Sequence, residues 1–177
     1  MTTDLAAHIP AWIDGVLQPV GKLETHERGL KHPAVSVMIM QGDRMLIQRR
    51  ALGKYHTPGL WANACCTHPF WGEDVLQCAE RRLQEELGIT GLSLTHRANL
   101  EYRADVGAGL IEHEIVDLFV AWPDGDLLVK PNPEEVIDWR WISLRDLMRE
   151  IAEEPTAFTP WFKIYLSDYA ETLSQPS

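Results

Sequence analysis

Two apolar, β-prone runs, Ala34 to Met40 and Arg44 to Arg50, are separated only by Gln41-Gly42-Asp43. That spacing commits the chain to an antiparallel hairpin around which the rest must pack. Further on, Asp74 with Gln77 has the composition of a capping box, and Val75, Leu76, Ala79, Leu83 and Leu87 follow at helical spacing up to Gly88. Leu94 to Tyr102, Ile111 to Trp122 and Val136 to Ile142 read as strands. Ser143 with Asp146 makes a second capping box for a helix to about Glu153, and Pro160 to Leu173 reads as a terminal helix after a turn at Pro155. Between Lys54 and Pro69, the breakers Pro58, Gly59, Asn63 and Pro69 predict an irregular loop.

A chain of 177 residues with 45% hydrophobic content can bury a full core as one domain, so residues 1–177 are read as a single unit with frayed ends at about 1–9 and 174–177. The seven tryptophans are expected mostly in the core. A formal charge of -10 argues against nucleic acid or an anionic membrane as partner. An anionic ligand would have to meet a local basic patch, for which Arg44, Arg49, Arg50 and Lys54, with Lys22 and Lys31 upstream, are candidates. Three cysteines, two of them adjacent, make no disulfide framework, and no basic-then-apolar leader or membrane-length apolar run is present. A reducing, cytoplasmic setting is expected.

The chemistry concentrates in Asn63-Ala64-Cys65-Cys66-Thr67-His68-Pro69 and in Glu112-His113-Glu114. A thiol two residues from an imidazole can exchange protons, and neighbouring positive charge would lower its pKa. Same-face residues on a strand lie about 6.5–7 Å apart, so Glu112 and Glu114 can converge on one cation while His113 points away. With His26, His32 and His68 they form a mixed nitrogen and oxygen set that suits a five- or six-coordinate Mn²⁺, Mg²⁺ or Zn²⁺. His8, His56 and His96 are assigned to the surface, and Cys65 and Cys78 to packing.

In this order, Lys22 with His26, His32, Arg50 to Lys54, Pro58 to Trp61, Asn63 to Pro69, Arg81 to Gly88, Tyr102, Glu112 with Glu114, and Phe158 to Trp161 resemble the type 1 isopentenyl-diphosphate isomerases, within the Nudix-like family. The resemblance implies an α/β (α+β) fold with a mixed sheet sandwiched between helices. The Nudix signature is recognisable in Glu73, Arg81, Glu85, Glu86 and Gly88, but Thr67 replaces its opening glycine and Arg82 stands where an acid follows Arg81.

The resemblance further implies conversion of isopentenyl to dimethylallyl diphosphate through a carbocation, with a proton added at one end of an allylic unit and another removed. Cys66 and Glu114 map onto the proton-transfer pair. One of the two delivers a proton and the other accepts one, in a direction the sequence leaves open; Glu114, assisted by Tyr102 and the metal, is assigned to protonation of the alkene and Cys66, as a thiolate, to deprotonation of the cation. Trp161 is expected to face the cation, and Lys22, Arg50, Lys54 and Arg82 to hold the diphosphate. His26, His32, His68, Glu112 and Glu114 would hold the first metal, and Glu86 a second ion, Mg²⁺, with the substrate. A monomer or weak homodimer is expected. Two other readings compete: a Nudix hydrolase, opposed by Arg82 and leaving Cys66 unexplained, and a non-catalytic isoprenoid-diphosphate binder.

Overall fold

The structure is a computed structural model and describes residues 8–173. Its order is β1 (His8–Ile13), β2 (Val16–Gly21), α1 (Lys22–Glu27), β3 (Lys31–Gln41), β4 (Arg44–Arg50), β5 (Trp61–Asn63), β6 (Cys65–Thr67), α2 (Val75–Leu87), β7 (Thr95–Gly107), β8 (Leu110–Ala121), β9 (Val136–Ser143), α3 (Leu144–Glu153) and α4 (Pro160–Asp168). Short 3₁₀ turns lie at Pro155–Ala157 and Ala170–Leu173.

The expected hairpin forms with Gly42-Asp43 at its tip, but β3 and β4 pair only at Met40–Met45 and Gln41–Arg44 before diverging. Beyond that point β4 lies between β5 and β9, while β3 pairs in parallel with β8 and antiparallel with β6, and β7 flanks β8. This is a mixed sheet, as the α+β expectation required.

The unbroken apolar run of β3 follows from burial on both faces. Ala34, Met38 and Met40 pack into a core with α4 residues Trp161, Phe162 and Tyr165. Val35, Val37 and Ile39 face the opposite core, where Cys78, Ala79, Leu83 and Leu87 of α2 meet them. The sheet is thus sandwiched between helices.

Helix α2 begins where the capping composition predicts, with the Asp74 carboxylate accepting hydrogen bonds from the Leu76 and Gln77 amides at 3.0 and 3.2 Å. It stops at Gly88, whose φ of +65° is left-handed. A Cβ there would lie 2.6 Å from the carbonyl oxygen of Lys130, so glycine is needed for space as well as conformation. Ser143 caps α3, accepting from the Asp146 amide at 3.1 Å.

Several expectations change. The hairpin β1–β2 and the short helix α1 were not anticipated, and His8 and Ile9, expected in a frayed end, belong to β1, where Ile9 is buried. The rest of both expected frayed ends, 1–7 and 174–177, lies outside the described residues. The segment before Pro69 is not wholly irregular, because β5 and β6 form within it and dock on β4 and β3. The terminal helix ends at Asp168, not Leu173. Of the tryptophans only Trp161 is fully buried; Trp61, Trp122, Trp139 and Trp141 are half-buried edges of the cores.

Candidate active site

Sheet register assembles the acidic part of the site. His32 on β3 stands beside Glu114 on β8, and Glu114 stands beside Tyr102 on β7. Strand alternation turns Glu112 and Glu114 inward and leaves His113 on the outer face, bonded to Glu101 at 2.9 Å. Gly29, left-handed at φ +59°, lets the chain turn from α1 into β3 and brings the rings of His26 and His32 to 4.9 Å. Asn63 bonds to Ser36 Oγ and to the carbonyl oxygens of Val37 and Cys65 at 2.8–2.9 Å, pinning β6 to β3. Cys66 thereby sits opposite Ser36, and His68 follows directly after the strand.

Ligand atoms of His26, His32, His68 and Glu114 lie within 4.8 Å of one another, all buried. The Nδ1 atoms of His26 and His32 lie 2.7 Å from the carbonyl oxygens of Lys22 and Leu30, which can only accept, so both Nδ1 carry the proton. Their Nε2 atoms are left with lone pairs, buried and without a hydrogen-bond partner. Carbonyls that fix the tautomer in this way, by accepting from the ring nitrogen turned away from the ion, are the usual support of metal-binding imidazoles. Burial holds His26 down to about 4 and His68 well below the ordinary range, so both are neutral and able to ligate. The residues present therefore fit a divalent cation.

Tyr102 Oη lies 2.8 Å from both Glu112 Oε2 and Glu114 Oε2. One hydroxyl proton serves one carboxylate, so the second contact is good only if the other carboxyl is protonated. Burial, then the charge of Glu114, raises Glu112 well above the carboxylate range. Burial would raise Glu114 too, but the close imidazole of His32 and the hydrogen bond from His68 Nε2 at 2.9 Å overcome it and hold this group well below. The contacts of Glu112, Tyr102 and Glu114 thus accommodate one carboxyl proton, and the opposite shifts place it on the Glu112 side.

Cys66 lies 3.9 Å from the hydroxyl of Tyr165. Burial, then the charges of Glu114 and Glu112, pushes its thiol up, contrary to the expected lowering by basic neighbours. At rest it is a thiol rather than a thiolate. Cys65, on the other face of β6, packs in the α2 core with Cys78, as expected of structural thiols.

Beside these groups opens a cleft of about 480 Å³ lined by Lys22, Lys54, Tyr55, His68, Arg82 and Glu135 among others. A smaller inner cavity of about 40 Å³ shares Lys22, Lys54, His68 and Arg82 with it and is bordered by Arg50, Cys66, Glu86, Glu112 and Trp161. The four expected anchors therefore converge, whereas Arg44, Arg49 and Lys31 are engaged elsewhere, by Gln41, Gly59 and Glu101. Lys54 pairs with Glu135, and burial lowers it to about 8. Arg82 is held by Glu85, Glu86 and Glu135. Glu86 also accepts from Gln48 at 2.8 Å and stands apart from the histidine cluster. The Arg50 guanidinium lies 5.2 Å from the Trp161 ring centre, so one face of that indole is already covered by a cation.

Three contributors escaped the sequence reading. His56 is buried rather than superficial, and groups with His26 and Glu112. Its proximity to Lys54 in sequence was the available signal. Glu135 and Tyr165 carried none, because only the fold brings the turn before β9 and helix α4 to the site.

The profile of the NUDIX domain matches residues 30–162. The same fold is found in a crystal structure from Deinococcus radiodurans, with a TM-score of 0.70 over 92% of this chain and 99% of that one at 16% identity. The chain belongs to the NUDIX family, and within it to the group of isopentenyl-diphosphate Delta-isomerases. It is 62% identical over 165 residues to the protein so named from Cereibacter sphaeroides (strain ATCC 17025 / ATH 2.4.3), covering 93% of each. The relative of that name from Ruegeria pomeroyi is 60% identical over 168 residues, covering 95% of this chain and 93% of the relative.

Proposed function

We propose that the chain interconverts isopentenyl and dimethylallyl diphosphate, with the relay Glu112–Tyr102–Glu114 and the thiol of Cys66 as its proton-transfer groups. The observation that carries this reading is a buried histidine and carboxylate cluster beside a cleft lined by Lys22, Lys54 and Arg82. An unactivated alkene is a feeble base, and a positioned, desolvated acid is the means of protonating it. The proton held by Glu112 passes through the Tyr102 hydroxyl to Glu114, which delivers it to the alkene; Cys66, after its thiol proton has gone to solvent on loading of the site, takes a proton as the thiolate from the other end of the allylic unit. A divalent ion, when bound, would offset the charges of Glu112 and Glu114, which are among the causes that keep Cys66 protonated.

His26, His32, His68 and Glu114, with Glu112, are the residues that would hold Mn²⁺, Mg²⁺ or Zn²⁺. Lys22, Arg50, Lys54 and Arg82 anchor the diphosphate, with Glu86 taking a second Mg²⁺ once Arg82 turns to the substrate. Trp161 closes the apolar end through its free edge and remaining face. The inner cavity of about 40 Å³ holds about one water, so substrate entry requires the side chains around it to move apart. A single domain acting as a monomer or weak homodimer on a small anionic molecule, in the cytoplasm and without nucleic-acid or membrane partners, accords with the charge of -10. No helix among the described residues is long and apolar enough to cross a membrane.

Hydrolysis is disfavoured because Glu73 and Glu85 of the Nudix signature are tied to Arg81, at 2.6 and 3.1 Å, rather than free to hold metals that activate water. The deciding experiment is NMR of the metal-loaded protein with isopentenyl diphosphate in deuterated water. Dimethylallyl methyl signals carrying deuterium, with the diphosphate phosphorus signals unchanged, are expected. Release of phosphate, or an unchanged alkene with every metal, would overturn the proposal.

A further inference from the structure

We propose that His56 is a further ligand of the metal centre, a fourth imidazole that joins it together with Glu112; this rests on the metal reading above. Ligand atoms of His26, His56 and Glu112 lie within 4.8 Å of one another, and all three residues are buried. His56 Nε2 is 3.6 Å from Glu112 Oε1. That is too long for a hydrogen bond but close to the separation of neighbouring donors around an ion with bonds of about 2.1 Å, roughly 3.0–3.4 Å. The same 3.6 Å separates His32 Nε2 from Glu114 Oε1 in the first group. The pairs His32–Glu114 and His56–Glu112 thus repeat one arrangement.

The ring is oriented like the other imidazoles. His56 Nδ1 lies 3.1 Å from Thr57 Oγ1, and donation from Nδ1–H to that hydroxyl leaves the Nε2 lone pair directed at Glu112. Thr57 holds a φ of +46°, a conformation that β-branched residues avoid. Arg50 donates to the His56 carbonyl at 3.3 Å. The strained turn and this bond fix His56 from both sides.

His26 belongs to both groups, yet has only one free lone pair, because its Nδ1–H is committed to Lys22. Two ions cannot share that lone pair. The two groups, joined through His26, therefore serve one centre with up to four imidazoles and two carboxylates. A fourth nitrogen makes the set softer. It favours Zn²⁺ or Co²⁺ over Mg²⁺, which prefers oxygen, so His56 would help set metal choice.

The test is Co²⁺ titration of metal-free protein, read by d–d absorption, with Mg²⁺ as competitor, for wild type, His56→Gln, His56→Ala and His68→Ala. Loss of a ligand predicts an altered Co²⁺ spectrum and Co²⁺ affinity at least ~10-fold weaker in both His56 variants, with Mg²⁺ affinity changed less. Circular dichroism of the metal-free variants checks the fold, and His56→Gln, which keeps the side-chain bulk, decides if His56→Ala unfolds. An unchanged spectrum in a folded His56 variant, even with weaker affinity, would overturn the ligand role. Failure of wild type to bind Co²⁺ would overturn the metal reading itself, and loss in His68→Ala alone would retain that reading without His56.

Discussion

At the scale of single residues, burial disfavours the charged forms of the candidate groups, lowering His26 and His68 and raising the Cys66 thiol. Cys66→Ala removes a proposed proton-transfer group but no proposed ligand. It is expected to keep the fold and the metal while losing isomerisation by about 10²–10⁴-fold, the usual contribution of a general acid or base. His68→Ala should lose bound metal as well, measurable by elemental analysis after dialysis. Lys54 makes a different prediction. With its free-protein pKa lowered to about 8, it is charged and able to bind an anion below that pH. Above pH 8 the free protein loses this proton while the complex, stabilised by the anion, retains it, so affinity should fall by up to about tenfold per pH unit. Calorimetric titration with inorganic pyrophosphate should show this bend in wild type and not in Lys54→Arg; a flat profile in wild type would refute it.

At the scale of elements, each strand or helix brings one or two groups, and its ends set their positions. Helix α2 carries Arg82 and Glu86, and Gly88 fixes where it stops. Gly88→Ala has to move the Lys130 carbonyl as well as adopt a left-handed backbone, which alone costs roughly 1–2 kcal/mol. A loss of at least that size is expected in urea unfolding. The parallel pairing of β3 with β8 is the other decisive element-level fact, because it sets His32 next to Glu114. A slip of one residue would turn Glu112 and Glu114 outward.

At the scale of the molecule, two cores on opposite faces of one sheet hold a polar site between them. Leu83→Ala, in the α2 core and remote from the proton-transfer groups, should cost about 2–5 kcal/mol of stability with metal affinity little changed. The proposed ligands come from α1, β3, the segment between β4 and β5, the segment after β6, and β8, so metal binding ties together parts distant in sequence. A metal at 100 times its dissociation constant should add about 2.7 kcal/mol to stability. Chelation should correspondingly lower the thermal midpoint of wild type and leave that of His68→Ala unmoved.

The α+β class, α2 with both its ends, the Ser143 cap and the inward pairing of Glu112 with Glu114 were legible because each rests on local chemistry: periodicity, a capping side chain, strand alternation. Hairpin β1–β2 was not, since Val16 to Gln18 are exposed and the stretch lacks the strong alternation of a half-buried strand. His56 was misread for the related reason that burial is imposed by what packs against a residue, here Trp161 and His26 from distant parts of the chain, and nothing local announces them. The sequence also named the thiol while misjudging its state. Arg50 and Lys54 are near Cys66 in the chain, but in the fold the charges of Glu114 and Glu112, with burial, outweigh them. Local patterns thus determined which elements and reactive groups this chain possesses. Only tertiary packing decided which of them meet and which protons they hold, because desolvation and charge act through space rather than along the chain.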